Sequence, residues 1–465
     1  MLLMLSALLL QVTTPPVGAA TLARPRVDTV LVAIDDLLRD ALANNLTLQS
    51  AAASLQEAQT ASRSVRSRFD PLISLGGDSE SDAFGGQLSG LTPTGASYLL
   101  GSVAPAVLPG QPVFPNALVA SVTQPLLRGF GPLSIRPAVR AVDAGVAAAR
   151  ARVERTRQEV AAGIRVAYAQ LVERHRQEAI ATRSLRRAED LRDAYEELRR
   201  LARITEVDVM TAQLGVTSRK ASLLEAERDR RNAEDALVFA VYGRQAPARL
   251  TNAGQVLLPR DTIVVVPNLD APDELMRDAV TRRPDVRAAR LSAERAAFDV
   301  QRSRNALLPS LDVTGAFLST LEERPNTNLQ STTESRVNGW SLGVVLTRPT
   351  RNLAVSADRA RAVAVETRAR AGLSEAENLV RSEVRAAVRD IRLGVEQVTL
   401  AAQASELGRR QYAGERERLT LGLSDLFRVL QYEEQVARVE RAEAAAQLGL
   451  AVAVAQYRLA TAAPD

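Results

Sequence analysis

Two long stretches without proline constrain the fold of this 465-residue chain more than any other feature. One covers residues 138–202 and the other 352–421. Apolar residues recur in them at steps of three and four, as at Val384, Val388 and Ile391, which is the pattern of coiled-coil helices. At about 1.5 Å per residue, each stretch would form a helix on the order of 100 Å long. Such helices are several times longer than those of globular domains and predict an elongated molecule.

Both stretches end at a break and are followed by a second helical pattern. The first break lies at 202–205 and the second at Leu421-Gly422-Leu423-Ser424. The helices that follow reach Tyr242-Gly243 and Tyr457-Arg458, respectively. A long helix that turns and returns in this way predicts an antiparallel helical hairpin, so the chain is expected to contain two of them.

The chain also carries an internal duplication. Shifting the sequence by 238 positions aligns nine identical residues in one register, and a shift of 220 aligns later blocks, such as Val160 with Val380. The nine residues of the first copy are Leu37, Arg39, Asp40, Ala41, Ala51, Ser54, Ala58, Arg66 and Pro71. We therefore predict a first repeat at 33–245, a linker at 246–272 and a second repeat at 273–461.

Each repeat is predicted to place two strands before its long helix. An Ala-rich helix, at 33–66 or 273–305, runs into a segment of alternating apolar and polar residues beside a proline. Alternation bounded by turn residues is typical of strands. A Gly/Pro/Ser-rich stretch at 78–116 is interpreted as a long loop. The four strands are predicted at 69–75, 118–124, 307–313 and 340–347.

Composition excludes several classes of function. The chain has no cysteine, which excludes disulfides, thiolate metal sites and a lipid on an N-terminal cysteine. The net charge is only +5, and arginines alternate with glutamates as on solvated helix faces, so no nucleic-acid partner is predicted. The single histidine, His175, lies among charged neighbours and is expected at the surface. We predict no catalytic residue, cofactor or metal site, and hence no enzyme.

The first 19 residues predict a signal peptide. An apolar run at 1–10 is followed by Val17-Gly18-Ala19, small residues spaced as signal peptidase requires. No later segment approaches the roughly 20 apolar residues of a membrane-spanning helix.

The strand count predicts an assembly. Four strands are too few to close a barrel, whereas three chains would supply twelve, and strands of about 9 to 12 residues can cross a bilayer when tilted. We therefore predict an α+β fold: a trimeric 12-stranded membrane β-barrel, with four strands per chain, that continues into a long antiparallel α-helical coiled-coil barrel. Phe69, Phe317 and Trp340 are candidate aromatics at the membrane interface, with ordinary strand packing as the alternative.

Several segments resemble TolC-like outer membrane efflux proteins. They are Gln124-Pro125-Leu126-Leu127-Arg128-Gly129-Phe130-Gly131, Val207-Asp208-Val209 and Leu237-Val238-Phe239-Ala240-Val241-Tyr242-Gly243, in this order of helices and strands. The resemblance covers nearly the whole chain after residue 19. It implies a homotrimer in outer-membrane lipid with a periplasmic extension. It also implies the exit duct of a tripartite efflux or type I secretion system, which contacts a periplasmic adaptor (membrane fusion protein) and an inner-membrane transporter.

The two breaks are the predicted functional tips. The resemblance implies that the tips narrow the tunnel with acidic residues, and Asp425, Asp208 and Glu206 are the gate candidates. The competing interpretation is that these residues stabilise helix N-termini. The acidic positions that the family usually carries inside the last helix correspond here to Arg428 and Gln431, which are not acidic.

The same tips are the candidate docking site for an adaptor. Gly422, Leu423 and Ser424 match the Gly-hydrophobe-Ser/Thr pattern of the family, although a simple turn would need the same glycine. Ile204 and Thr205 are the corresponding candidates in the first break, which lacks a glycine.

Two other functions fit part of the sequence. A secreted or periplasmic coiled-coil scaffold would explain the long helices but not the strands that recur in register. A periplasmic adaptor would need a lipoyl-like, Gly-rich β module beside a single hairpin, and the sequence shows none. The channel therefore accounts for more of the chain than either alternative.

Overall fold

The computed structural model describes residues 29–78, 83–104, 117–201, 204–243, 250, 256–260, 265–269, 272–325, 332–349 and 351–462. The predicted signal peptide at 1–19 lies outside the described residues. In the first half of the chain, the elements are β1 (Thr29–Val32), α1 (Ile34–Asn44), α2 (Leu46–Arg66), β2 (Leu72–Asp78), β3 (Ala83–Leu91), β4 (Ser97–Ala104), β5 (Ala117–Pro125), α3 (Ile135–Arg200) and α4 (Glu206–Tyr242). In the second half they are β6 (Val256–Pro259), α5 (Pro272–Arg282), α6 (Pro284–Ala306), β7 (Ser310–Pro325), β8 (Thr332–Thr347), α7 (Leu353–Thr420) and α8 (Leu426–Thr461).

The two long helices and their hairpins are confirmed. Helix α3 has 66 residues and α7 has 68, so each is about 100 Å long. Helix α4 packs along α3 and α8 packs along α7. Small side chains line the seams, because they let two helix backbones approach closely over a long distance. In the N-terminal half of α3, where α2 and α6 pack against it, the buried small residues include Ala141, Ala144, Ala148, Ala151 and Ala162. None of the described helices is long and apolar enough to span a bilayer.

The prediction of one continuous helix before the strands is wrong in both halves. Asn45 separates α1 from α2, and Arg283 separates α5 from α6. Asn45 has extended backbone angles, and its side chain accepts hydrogen bonds from the backbone N–H groups of Thr47 and Leu48, which starts a new helix. Pro284 disfavours a helical conformation of Arg283 and begins α6.

Asn45 and Arg283 occupy equivalent positions under the 238-residue shift, and they make equivalent contacts. Asn45 Nδ2 donates to the carbonyl oxygen of Ala240 at 2.9 Å. Arg283 Nη1 donates to the carbonyl oxygen of Ala460 at 3.5 Å. Because Ala240 and Ala460 are related by the 220-residue shift, both joints fasten the short helices to the end of a return helix.

Two hydrophobic cores lie beside these joints. The first contains Leu171 and Val241, which are completely buried between α1, α3 and α4. The second contains Val384 and Ile391, buried between α5, α7 and α8. The cores stabilise the middle of the molecule, where α1 packs against the first hairpin and α5 against the second.

The strands form two sheets. Strands β1 and β6 pair in parallel, and β2-β3-β4-β5-β7-β8 form a six-stranded antiparallel sheet in that order. The prediction of four strands per chain is therefore wrong for this sheet, since β3 and β4 lie within the region interpreted as a loop at 78–116. Glycine and serine are frequent in β3, AFGGQLSGL, and obscure the alternation that identifies a strand.

The six-stranded sheet has one apolar face. Register aligns Ile73, Leu88, Leu100, Ala120, Phe317 and Trp340 in one row across all six strands. Side chains at alternate positions point to the same side, so Leu342, Val344 and Leu346 of β8 lie on this face as well. The opposite face carries polar residues, including Ser74, Gln87, Ser89, Ser97, Ser121, Thr123, Thr314 and Ser341.

Candidate functional site at the hairpin tips

The tips of the two hairpins pack against each other through a small hydrophobic cluster, which we call the tip cluster. Tyr195 of α3, Ala212 of α4 and Leu426 of α8 are buried in it. Ile204, Leu191, Leu419 and Leu430 pack around them. The structure thus brings the two predicted breaks together at one end of the molecule.

The first tip is fixed by reciprocal capping. The Thr205 backbone N–H donates to Asp208 Oδ2 at 3.0 Å, and the Asp208 backbone N–H donates to Thr205 Oγ1 at 3.4 Å. The Thr205 hydroxyl also donates to Asp208 Oδ2 at 2.7 Å. This bond, together with the bond from the Thr205 backbone N–H, lowers the pKa of Asp208. Glu206 lies 3.6 Å from Arg199, and both side chains are exposed. Asp208 is therefore occupied as a helix-capping residue, and Glu206 belongs to a surface ion pair.

The second tip is a glycine-dependent turn. Gly422 has φ of +73°, its N–H donates to the carbonyl of Leu419 at 3.0 Å, and the N–H of Leu423 donates to the carbonyl of Arg418 at 2.8 Å. These two bonds are those of a Schellman motif, which ends a helix with a left-handed residue. The Ser424 hydroxyl donates to the buried carboxylate of Glu415.

Asp425 begins the last helix. Its Oδ1 accepts the backbone N–H of Arg428 at 2.8 Å, and its Oδ2 lies 3.9 Å from the Arg428 guanidinium. Asp208 and Asp425 therefore both make the helix-capping contacts that the competing interpretation predicted. Capping leaves each carboxylate charged, so it does not remove the charge that a gate would use.

The charges of both capping carboxylates act on Tyr195. Burial raises the pKa of Tyr195 to about 12, and the negative charges of Asp208 and Asp425 contribute in the same direction. Two of the three gate candidates therefore act electrostatically on one buried phenol, whereas Glu206 is paired on the surface.

An exposed apolar surface surrounds the tips. Leu423 and Gly422 are exposed, but Ser424 and Ile204 are half-buried and Thr205 is used in capping. Sequence reasoning missed most of the exposed apolar side chains. They could have been found as apolar residues that lie beside the breaks but outside the 3–4 spacing of the helix seams. They are Leu201, Val207, Met210, Leu214, Leu421 and Phe427, the last of them 72% exposed.

The predicted interface aromatics occupy two kinds of position. Phe317 of β7 and Trp340 of β8 are register partners on the apolar face, where Trp340 is 83% exposed. Phe69 lies in a 3-10 turn at Ser67–Phe69 instead of a strand, because Pro71 delays the start of β2 to Leu72. The assignment of Phe69 to a strand is therefore wrong.

His175 has a structural contact. Its Nε2 lies 2.7 Å from the carbonyl oxygen of Leu257 and links α3 to β6, so the ring is half-buried and not at the open surface that the sequence predicted. Within the described ranges, no three His, Cys, Asp or Glu residues are grouped as a metal site requires.

The fold matches solved structures of membrane channels. No protein-family profile matches the sequence, and no curated protein matches it. The outer membrane protein VceC of Vibrio cholerae is 18% identical, with 92% of this chain and 95% of that chain covered and a TM-score of 0.70. The Campylobacter jejuni outer membrane channel CmeC is 17% identical, with 92% and 85% covered and a TM-score of 0.68.

A third structure shows the same similarity. The Neisseria gonorrhoeae outer membrane channel MtrE, in its open state, is 20% identical, with 92% of this chain and 88% of that chain covered and a TM-score of 0.67. The chain therefore has the fold of these outer-membrane channels, as its resemblance to the TolC-like proteins predicted.

Proposed function

We propose that the protein is an outer-membrane channel, the exit duct of a tripartite efflux or type I secretion system that extends into the periplasm. The observation that carries this proposal is the six-stranded sheet, which has one apolar and one polar face and continues into helices of about 100 Å. A lipid-facing side that alternates with a water-facing side is the pattern of a membrane β-barrel. The fold shared with outer-membrane channels supports the same conclusion.

The sheet needs further copies to close. Its edge strands are β2 and β8, and both carry exposed apolar side chains, among them Ile73 and Leu75 on one edge and Leu342 and Val344 on the other. Unpaired backbone groups at such edges cannot remain open in lipid. We propose that three identical chains join edge to edge. The predicted barrel of twelve strands was based on four strands per chain. With six strands per chain, a trimer would have eighteen strands at the level of Trp340.

The polar face of the sheet would then line the lumen. The Thr123 and Thr314 hydroxyls are 3.0 Å apart on this face and form a hydrogen bond between β5 and β7. Two strands of the sheet lead into the long helices: β5 is followed by α3 and β8 by α7. The helices of three copies would therefore extend the same lumen. A duct of this kind moves its cargo without catalysis, cofactor or metal.

The tips would face the periplasm and meet the partners. We propose that the exposed apolar side chains around Leu423 and Phe427 dock a periplasmic adaptor, which in turn contacts an inner-membrane transporter. We also propose that Asp208 and Asp425 of three copies form an acidic ring that favours cations. Apolar side chains exposed next to charged ones support a docking surface.

A matched pair of substitutions tests the channel. Val344 and Val345 are neighbours in β8 that lie on the apolar and the polar face, respectively. An arginine facing lipid costs up to about 2–4 kcal/mol, depending on depth, whereas an arginine facing the lumen is tolerated. We expect Val344→Arg to reduce the yield of heat-modifiable trimer extracted from membranes.

The partner substitution is the control. We expect Val345→Arg to form trimer at the wild-type level and to shift ion selectivity towards anions in planar bilayers. A wild-type protein recovered as a water-soluble monomer would reject the channel and favour the scaffold. Equal behaviour of the two variants would reject the assignment of the faces.

The gate can be separated from helix capping. At both positions, asparagine keeps a side-chain oxygen that can accept the same backbone hydrogen bonds but carries no charge. Alanine has neither the oxygen nor the charge. If the ring acts as a gate, replacing Asp208 and Asp425 with asparagine lowers cation selectivity as strongly as replacing them with alanine. Wild-type selectivity in the asparagine variant, with reduced stability in the alanine variant alone, would leave only the capping role.

A further inference from the structure

Two arginines continue the apolar face at the end nearest the helices. The backbone N–H of Leu126 donates to Leu311 at 2.8 Å, and the N–H of Arg128 donates to Pro309 at 3.3 Å. On the other side of β7, Leu346 pairs with Leu311 and Thr347 with Ser310. The row of Leu126, Leu311 and Leu346 is therefore followed by a row of Arg128, Pro309 and Arg348. The register places both arginines directly below the apolar row, Arg128 in the turn after β5 and Arg348 immediately after β8.

These arginines have no acidic partner among the described residues. In the part of the chain that the structure describes, neither Arg128 nor Arg348 forms an ion pair or a side-chain hydrogen bond. The same holds for the exposed Arg68, which precedes β2, and the exposed Arg351, which follows β8, at the same end of the sheet. Arg66, two residues before Arg68, is instead paired with Asp143 at 2.8 Å. We call Arg68, Arg128, Arg348 and Arg351 the arginine collar. Its charge is not neutralised by side chains of the described residues.

The arginine collar adjoins the apolar face of the sheet, which lipid must cover if the protein is a membrane channel. Leu346 and Val344 are both largely exposed on the apolar face and lie two and four residues before Arg348. An arginine at this position can keep its stem along the apolar surface and place its guanidinium at the lipid headgroups. The guanidinium matches phosphate geometry with two parallel hydrogen bonds.

We propose that the arginine collar binds the phosphate groups of anionic phospholipids in the periplasm-facing leaflet and thereby fixes the depth of the sheet in the membrane. This inference rests on the proposed channel function. The charge of the collar and the adjoining apolar row select a lipid headgroup as the ligand, since a free anion would use the charge but not the leucines. Several unpaired arginines on one rim favour anionic over zwitterionic lipids.

The only tryptophan of the chain provides the assay. Trp340 lies on the apolar face, eight residues from Arg348, which corresponds to about 19 Å of depth for a strand tilted by about 45°. Phospholipids brominated near the methyl end of the acyl chain would quench Trp340 when they occupy the surface above the collar. Competition between brominated phosphatidylcholine and phosphatidylglycerol in vesicles gives a relative binding constant.

We expect the wild-type trimer to prefer phosphatidylglycerol about fivefold or more. The double variant Arg128→Gln, Arg348→Gln should lose most of this preference. The control is Arg385→Gln, Arg392→Gln, which removes two exposed arginines about 50 Å or more along α7 and should leave the preference unchanged. Arg128→Lys, Arg348→Lys keeps the charge and should retain part of the preference, even if the glutamine variant assembles poorly.

Each other result contradicts a separate step. A wild-type preference near one, or an undiminished preference in the glutamine variant, overturns the collar while leaving the channel intact. If inorganic phosphate at constant ionic strength abolishes the preference, the site binds a free anion and the assignment to lipid is wrong. Wild-type protein that does not enter vesicles of either composition overturns the channel and the collar together.

Discussion

A buried ion cluster joins the two hairpins and gives the sharpest prediction. Glu433 of α8 accepts a hydrogen bond from the Ser184 hydroxyl of α3 at 2.7 Å. It also pairs with Arg187 of α3 at 3.2 Å and with Arg219 of α4 at 2.9 Å. One carboxylate thus connects a helix of the second hairpin to both helices of the first. We predict that Glu433→Ala loosens this contact.

The size of the effect follows from burial. The Glu433 side chain is 3% exposed, while Arg187 and Arg219 are 20% and 17% exposed. Removing one partner of a buried pair costs about 3–5 kcal/mol, because the remaining charges lose their counterion without regaining water. Since both arginines keep some contact with water, we expect the lower end, about 3 kcal/mol. That corresponds to an increase of roughly 150-fold in the equilibrium constant for local opening.

Hydrogen exchange of the protein in detergent measures this local opening separately for each peptide segment. We expect faster exchange in peptides around Ser184, Arg219 and Glu433, with little change at the strands. The neighbouring Glu434 is the control. It is 61% exposed and pairs with Arg438 at 3.6 Å on the surface, so Glu434→Ala should change exchange by less than about threefold.

Two results would refute the reasoning about this cluster. If Glu433→Ala and Glu434→Ala accelerate exchange equally, burial does not determine the strength of the pair. If Glu433→Ala leaves exchange at the wild-type rate, the carboxylate does not hold the hairpins together.

Further predictions concern pH, a turn and a joint. Burial raises the pKa of Glu173 above its ordinary 4.5, so its contribution to stability is present below pH 4.5 and is lost as pH rises through the folded-state pKa. Glu173→Gln should therefore raise the unfolding midpoint at pH 7 more than at pH 4. Gly422→Ala should destabilise the tip by roughly 1 kcal/mol because φ is +73°, whereas Gly414→Ala in open space on α7 should stabilise by a similar amount in denaturant titrations. Asn45→Ala should cost about 0.5–2 kcal/mol through loss of the cap, seen as earlier unfolding of α2 by hydrogen exchange.

The long helices were predictable because one signal dominates them. Residues 138–202 lack proline and keep an apolar period close to 3.6, and α3 occupies Ile135–Arg200. The breaks were predictable from Gly422 and from the change of pattern after 202. The evidence for a long helix is summed over many turns, so one residue that departs from the apolar pattern does not change the helix prediction.

The sheet was less predictable. Strands β3 and β4 have eight or nine residues, and their glycines and serines hide the alternation of apolar residues. The apolar row that crosses six strands is visible only when the register is known, because Ile73 and Trp340 are far apart in the sequence. The candidate site shows the same limit. Asp208 and Asp425 could be located, but their proximity to Tyr195 depends on how the hairpins pack.

The two joints show why a repeat can be preserved while its residues change. Asn45 has φ of −69° and ψ of 126°, and Arg283 has φ of −64° and ψ of 128°. Both residues are extended between two helices, and both donate to an equivalent carbonyl. Asn45 completes its joint by capping α2, whereas Arg283 pairs with Asp285 and Glu383. The backbone geometry therefore defines the joint, and different side chains can satisfy it, so the two copies keep this joint although the residue at it differs.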